Sequence, residues 1–147
     1  MRKIYFASPL NRLECRPKNE ELANRLREMG HEVYLPQESG IAADDVKRKE
    51  IADGAEKHKL WKGIYDSDMQ ALQWCDTIVA ISTASDAHPS HGMCWEMGWG
   101  NAAGKEVLLV TQGYEYEYNL MLVCGASKWF ATWEALEKYL SENMNKE

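Results

Sequence analysis

The sequence carries no excess of positive charge: 17 Lys and Arg stand against 23 Asp and Glu in 147 residues, a net charge of −6. A protein that grips a nucleic acid polymer usually shows a basic stripe, so that class is disfavoured. A small anionic ligand stays open, because helix N-termini bind phosphate without net positive charge. No apolar leader opens the chain, and no apolar run approaches the ~20 residues a membrane span needs, so no membrane association is expected. The four cysteines, Cys15, Cys75, Cys94 and Cys124, include no CxxC pair and none at a metal-ligand interval from a histidine. Free thiols, a cytoplasmic location and no structural metal are the expectation. Internal repeats, low-complexity tracts and breaks in composition are also missing, and 147 residues fit a single domain over 1–147 better than two.

What is present is an alternation of two periods. Four apolar runs read as strands: Lys3 to Ala7, Glu32 to Leu35, Thr77 to Ile81 and Val107 to Thr111, with a weaker fifth at Trp129 to Ala131. TIVAI and VLLV are short and continuous, as expected of strands buried on both faces of a parallel sheet. Helical patterns lie between them: Glu20 to Met29, with Gly30 at the C′ place; Lys57 to Cys75; Met93 to Ala103, followed by Gly104; and Trp133 to Met144, with Thr132 as N-cap. Strands alternating with helices imply an α/β fold, a doubly wound sheet of the flavodoxin or Rossmann kind, with about five parallel strands and helices on both faces. Ligands gather at the carboxyl ends of such strands, here the Ala7–Arg16, Leu35–Asp45, Ser82–Gly92 and Gln112–Tyr118 loops.

Several residues stand out against that pattern. Glu96 is the only ionisable residue from Met93 to Ala103, set among Trp95, Met97 and Trp99. A carboxylate in an apolar helix is costly unless paired, hydrogen-bonded or catalytic, and near the helix start the dipole helps keep it anionic. The pattern alone equally allows a Glu that points to solvent. Gly98 and Gly100 lie inside the same helix, where each costs ~1 kcal/mol against Ala, and both are read as sites of close helix–sheet packing. Asp68 falls on the apolar stripe of its helix and is read as a site residue, whereas Asp66 reads as solvated surface. Tyr5, mid-strand in KIYFA, reads from pattern alone as core. His88 and His91, in the loop before the Glu96 helix, read as solvated, with a catalytic part for either as the minority option.

Four segments together carry a resemblance: KIYFASPL, GHEVYLPQES, SHGMCWEMGWGNAAGKEVLLV and the NLM of Asn119 to Met121. They resemble the nucleoside 2-deoxyribosyltransferase family and its nucleotide N-hydrolase relatives, from about Lys3 to Met121. The resemblance implies that Glu96 is the nucleophile that attacks the sugar C1′, that Tyr5 hydrogen-bonds and orients it, and that Asp68 contacts the nucleobase. It further implies that Ser8, Ser90, Gly92 and Asp86 line the substrate, and that Asn119 and Met121 reach into a neighbouring subunit's site. The partners implied are a nucleoside or nucleotide, a free nucleobase and further copies of the chain, at least a dimer. No cofactor is needed, and the activity belongs to nucleotide salvage.

The chemistry accounts for the residue types. N-glycosides leave through an oxocarbenium-like transition state, which a carboxylate stabilises and then captures, while another group protonates the departing base. One departure bears on the substrate. The transferases commonly carry an acid six residues before the nucleophile, and this chain has Ser90 there. Relatives that hydrolyse nucleoside 5′-monophosphates often have Ser at that place, and Asp86 or His91 is a substitute for the acid. Against the hydrolase reading, Asn119 stays as in the transferases and the opening loop lacks a clear phosphate cradle, with Arg12 and Arg16 its only candidate cations. Transfer of a (2-deoxy)ribosyl group between bases is the first expectation, and hydrolysis of 5′-monophosphates the alternative. A non-catalytic nucleotide-binding module comes behind both, as does a flavodoxin-like cofactor carrier, which lacks its phosphate loop after the first strand.

Overall fold

The computed structural model describes residues 1–39, 54–82, 89–113 and 118–143. Five strands, β1 (Lys3–Ala7), β2 (Glu32–Tyr34), β3 (Thr77–Ile81), β4 (Glu106–Val110) and β5 (Lys128–Phe130), pair in parallel in the order β2-β1-β3-β4-β5. The helices are α1 (Arg16–Glu28), α2 (Gly54–Trp74), α3 (His91–Ala102), α4 (Leu120–Gly125) and α5 (Trp133–Asn143), with short 3-10 turns at Leu13–Cys15 and Pro36–Glu38. This is the doubly wound α/β sheet that the alternation of periods calls for.

Strand parity divides the core. Ile4, Phe6, Val79, Ile81, Leu108 and Val110 point to one face and meet Leu22 and Leu26 of α1 and Leu136 and Leu140 of α5. Tyr5, Ala7, Ile78, Ala80, Val107 and Leu109 point to the other and meet Leu72 of α2 and Met93 and Met97 of α3. Tyr5 is therefore a core residue by burial, with no exposed surface. The chain leaves β1 toward β2 on one side and builds β3, β4 and β5 on the other, so the sheet reverses direction between β1 and β3. A crevice opens at the carboxyl ends of strands at such a point.

Some element bounds differ from expectation, each for a local reason. Helix α1 begins at Arg16 instead of Glu20, with Pro17 in its first turn; there the missing N–H of proline costs nothing. Buried Asn19 in that turn donates to the Pro9 carbonyl (3.1 Å) and to Gln37 Oε1 (3.1 Å), tying the segment after β1 to the segment after β2. Strands β4 and β5 start one residue early, and β2 ends at Tyr34. Helix α4 has six residues, too few for a helical period to show in sequence. Gly30 (φ +89°) ends α1 and the Thr132 hydroxyl accepts from the Ala135 N–H at α5, as expected of a C′ glycine and an N-cap.

The two α3 glycines part company. A Cβ on Gly100 would run into Ile78 Cδ1 and lie 3.4 Å from Val107 Cγ2, so the helix packs closely on the sheet there, as expected. A Cβ on Gly98 would meet nothing within 4 Å, which corrects the expectation of close packing at that position. Successive i+2 positions on a helix lie about 200° apart, so the two glycines cannot share a face.

Candidate active site

The second face of the sheet brings Tyr5 under α3. Because Met93 and Met97 turn into the core, Glu96 sits at the buried edge of the helix, partly buried, and not on its solvent side. The Tyr5 hydroxyl donates to Glu96 Oε1 at 2.8 Å. Burial of the phenol, reinforced by the negative charge of Glu96, holds the Tyr5 pKa far above its ordinary value, so Tyr5 is fixed as a donor. Burial pushes the Glu96 carboxyl up to about 8; the Tyr5 hydrogen bond opposes that shift and the nearby Asp68 carboxylate adds to it. The candidate site thus holds a desolvated carboxyl with one preset donor among the described residues.

Asp68 projects from the inner part of α2 beside this pair, and burial raises its pKa as well. Its Oδ1 accepts from the Tyr34 hydroxyl at 3.0 Å, and the same hydroxyl lies 3.1 Å from Ser67 Oγ. Tyr34 is the register partner of Tyr5 across β1 and β2, and their rings stack with centroids 5.5 Å apart and planes 22° off parallel. Sequence reasoning missed Tyr34 and Ser67. A phenol at the carboxyl end of β2 was the available signal, but strand pairing that sets it against Tyr5 is invisible in one sequence. Asp66, by contrast, is exposed and pairs with Lys62 one turn earlier, as a solvated residue does.

Ser90 is the N-cap of α3: its Oγ accepts from the Met93 N–H at 3.1 Å. Gly92 and His91 occupy the exposed first turn, and Ser8 is buried just beyond β1. Asp86 and His88 lie outside the described residues. Asn119 caps α4, its Oδ1 accepting from the Met121 N–H at 2.8 Å. Met121 is 74% exposed and Leu120 69%, a bare apolar turn. The structure therefore brings together Tyr5, Asp68 and Glu96, and sets Asn119 and Met121 on an exposed surface. A cavity of about 310 Å³ lies between the segment after β1 and the start of α3, lined by Pro9, Asn11, Arg12, Pro89, Ser90 and His91. Arg16, the other candidate cation, instead donates from Nε to the Leu10 carbonyl at 3.0 Å.

A family model described as nucleoside 2-deoxyribosyltransferase matches residues 4–138. The chain belongs to that family. As a nucleoside 2-deoxyribosyltransferase family member it is an enzyme of nucleoside deoxyribosyl transfer or N-glycoside hydrolysis, taking a nucleoside or nucleotide and a nucleobase as its substrates. It is similar to the 2-deoxyribosyltransferase of the psychrotolerant bacterium Bacillus psychrosaccharolyticus, with 26% identity, a TM-score of 0.65, and 92% of this chain and 90% of that one covered. In fold it also matches a conserved protein of Enterococcus faecalis V583 (20% identity, TM-score 0.73, 98% and 99% covered). A third match in fold is the CMP N-glycosidase of Clostridium botulinum (21% identity, TM-score 0.51, 97% and 100% covered). No curated protein matches the sequence. No helix among the described residues is long and apolar enough to cross a membrane.

Proposed function

We propose that this family member transfers the (2-deoxy)ribosyl group of a nucleoside between nucleobases through a covalent ester on Glu96. The observation that carries the reading is the Tyr5–Glu96 hydrogen bond between β1 and α3, within the electrostatic reach of Asp68. Glu96 attacks C1′ as the C1′–N bond breaks; the bonding pair leaves with the base, which takes up a proton. The glycosyl ester then yields its C1′ to the nitrogen of a second base, which loses a proton, and Glu96 is regenerated. A desolvated carboxylate suits this task, because the positive charge that develops on the sugar is stabilised most strongly where water is excluded. Tyr5 holds one carboxylate oxygen so that the other faces C1′, and Asp68 contacts the base. Ser8, Ser90 and Gly92 line the substrate. Asn119 and Met121 serve the site of a neighbouring copy, with Asn119 on the sugar hydroxyl, which makes the working enzyme a homo-oligomer.

One observation favours the second reading, hydrolysis of nucleoside 5′-monophosphates with water in place of the acceptor base. The cavity beside the α3 N-terminus combines Arg12 with Ser90, and an exposed helix start supplies N–H donors for an anion. A panel of nucleosides and their 5′-monophosphates, with and without an acceptor base and resolved by chromatography, decides between the two. Exchange of base on a deoxynucleoside supports transfer; base released from the monophosphate much faster than from the nucleoside reverses the order. Conversion of neither substrate class by the folded protein contradicts both.

A further inference from the structure

Tyr34 touches both halves of the site. Its hydroxyl donates to Asp68 Oδ1 at 3.0 Å and meets Ser67 Oγ at 3.1 Å. Its ring lies on that of Tyr5, whose own hydroxyl holds Glu96 at 2.8 Å. Two strands in fixed parallel register carry the two phenols, so the spacing between them is set by the sheet and not by a loop. We propose that Tyr34 is the positioning residue of this site: its hydroxyl fixes the rotamer of Asp68 while its ring fixes Tyr5, so that one side chain sets the base-contacting carboxylate against the nucleophile. The proposal rests on the reading of Asp68 as the residue that contacts the base.

The argument is one of degrees of freedom. Asp68 stands on α2 and Glu96 on α3, two helices of the same layer that reach the site from different directions. A carboxylate with no partner samples several rotamers, and a misplacement of about 1 Å can cost on the order of 100-fold in rate. A neutral phenol donor on a partly buried carboxylate makes a charge-assisted bond, stronger than a neutral one. Burial raises the Asp68 pKa and the Tyr34 bond lowers it, so the donor also favours the ionised form of Asp68. The groups that face Asp68 among the described residues are Tyr34 from β2, Tyr5 from β1 and Glu96 from α3. Of these only Tyr34 donates to it in the structure.

The test is a double-substitution cycle on the full-length protein with Tyr34→Phe, Asp68→Asn and the pair, following kcat and the KM of the base separately across pH. Tyr34→Phe keeps the ring stack and removes the donor. It should lower kcat/KM on the order of tenfold, the weight of a hydrogen bond to a charged group, mainly through KM for the base. Loss of the donor raises the Asp68 pKa, so the pH dependence of the KM for the base, distinct from the Glu96 limb of kcat/KM, should shift to higher pH. In the Asp68→Asn background Tyr34→Phe should cost less than threefold, roughly the limit of independence for uncoupled sites. A purely structural role would lower the melting temperature without moving the pH dependence of KM or splitting KM from kcat. A damaged Asp68→Asn beside a fully active Tyr34→Phe overturns the positioning proposal alone. An Asp68→Asn variant with wild-type base affinity overturns the base-contact reading and the proposal with it.

Discussion

At Glu96 two demands oppose each other. The carboxyl must be ionised to attack, yet burial favours its protonated form, up to about pH 8 in the unliganded protein. The kcat/KM profile, which reports the free enzyme, should therefore rise with pH along a limb set by Glu96. Tyr5→Phe removes the donor that favours the charged form, so that limb should move to higher pH while the rate falls; a limb unmoved by Tyr5→Phe contradicts the pairing. The same shift makes a statement about stability. Glu96 has a folded pKa raised above its unfolded value, so the penalty for ionising it is absent below about pH 4.5, grows through the interval, and is complete above about pH 8. Glu96→Gln keeps an acceptor for Tyr5 and carries no charge. It should match wild-type stability near pH 4 and exceed it by several kcal/mol at pH 9, as measured by chemical denaturation. Equal stability across that range counts against a desolvated carboxyl.

Among the elements, α3 does the most. Its apolar composition buries it against the sheet, its Ser90 cap fixes where it starts, and those two facts decide where Glu96 points. Gly100 is the residue that lets the helix come close. Gly100→Ala must displace Ile78 in a filled core and should cost about 1–3 kcal/mol from overpacking, less the ~1 kcal/mol gained in helix propensity. Gly98→Ala has open space and should raise stability by up to ~1 kcal/mol. Thermal melts that rank the two variants the other way would refute the packing described for α3. Sequence alone shows two costly glycines in one helix and no means of telling them apart, because the difference lies in the neighbour, Ile78 on β3. Glu96 and Asp68 were legible because each breaks an apolar period. Tyr34 was not, because a tyrosine in a strand breaks nothing, and its role depends on register with β1. Helix α4 was hidden by its length, although Asn119 at its cap was read for its motif.

At the scale of the molecule, the sheet reversal between β1 and β3 gathers Tyr5, Tyr34, Asp68 and Glu96 at one end, as the alternation of strands and helices implies. The surface of α4 is different: Leu120 and Met121 stand bare beside a groove of about 470 Å³ lined by Cys94, Met97, Gly98, Asn101, Met121, Leu122, Cys124 and Gly125. The homo-oligomer proposed above would cover this apolar turn with a second copy. If Asn119 serves a neighbour's site, Glu96→Ala and Asn119→Ala chains are each inactive alone and regain part of the activity when mixed and allowed to exchange, through hybrid sites. Full activity from a monomer at the working concentration contradicts shared sites.

The covalent role of Glu96 is tested most directly by trapping the ester. An arabinosyl nucleoside fluorinated at C2′ slows both steps, because the electronegative substituent disfavours the oxocarbenium-like transition state, and without an acceptor base the intermediate should accumulate. Mass spectrometry of the quenched, digested protein should then find the fluorinated sugar on the peptide that contains Glu96, stoichiometric with base released, and no adduct on Glu96→Gln. Release of base by wild-type protein with no adduct, or with the sugar on another residue, contradicts the account.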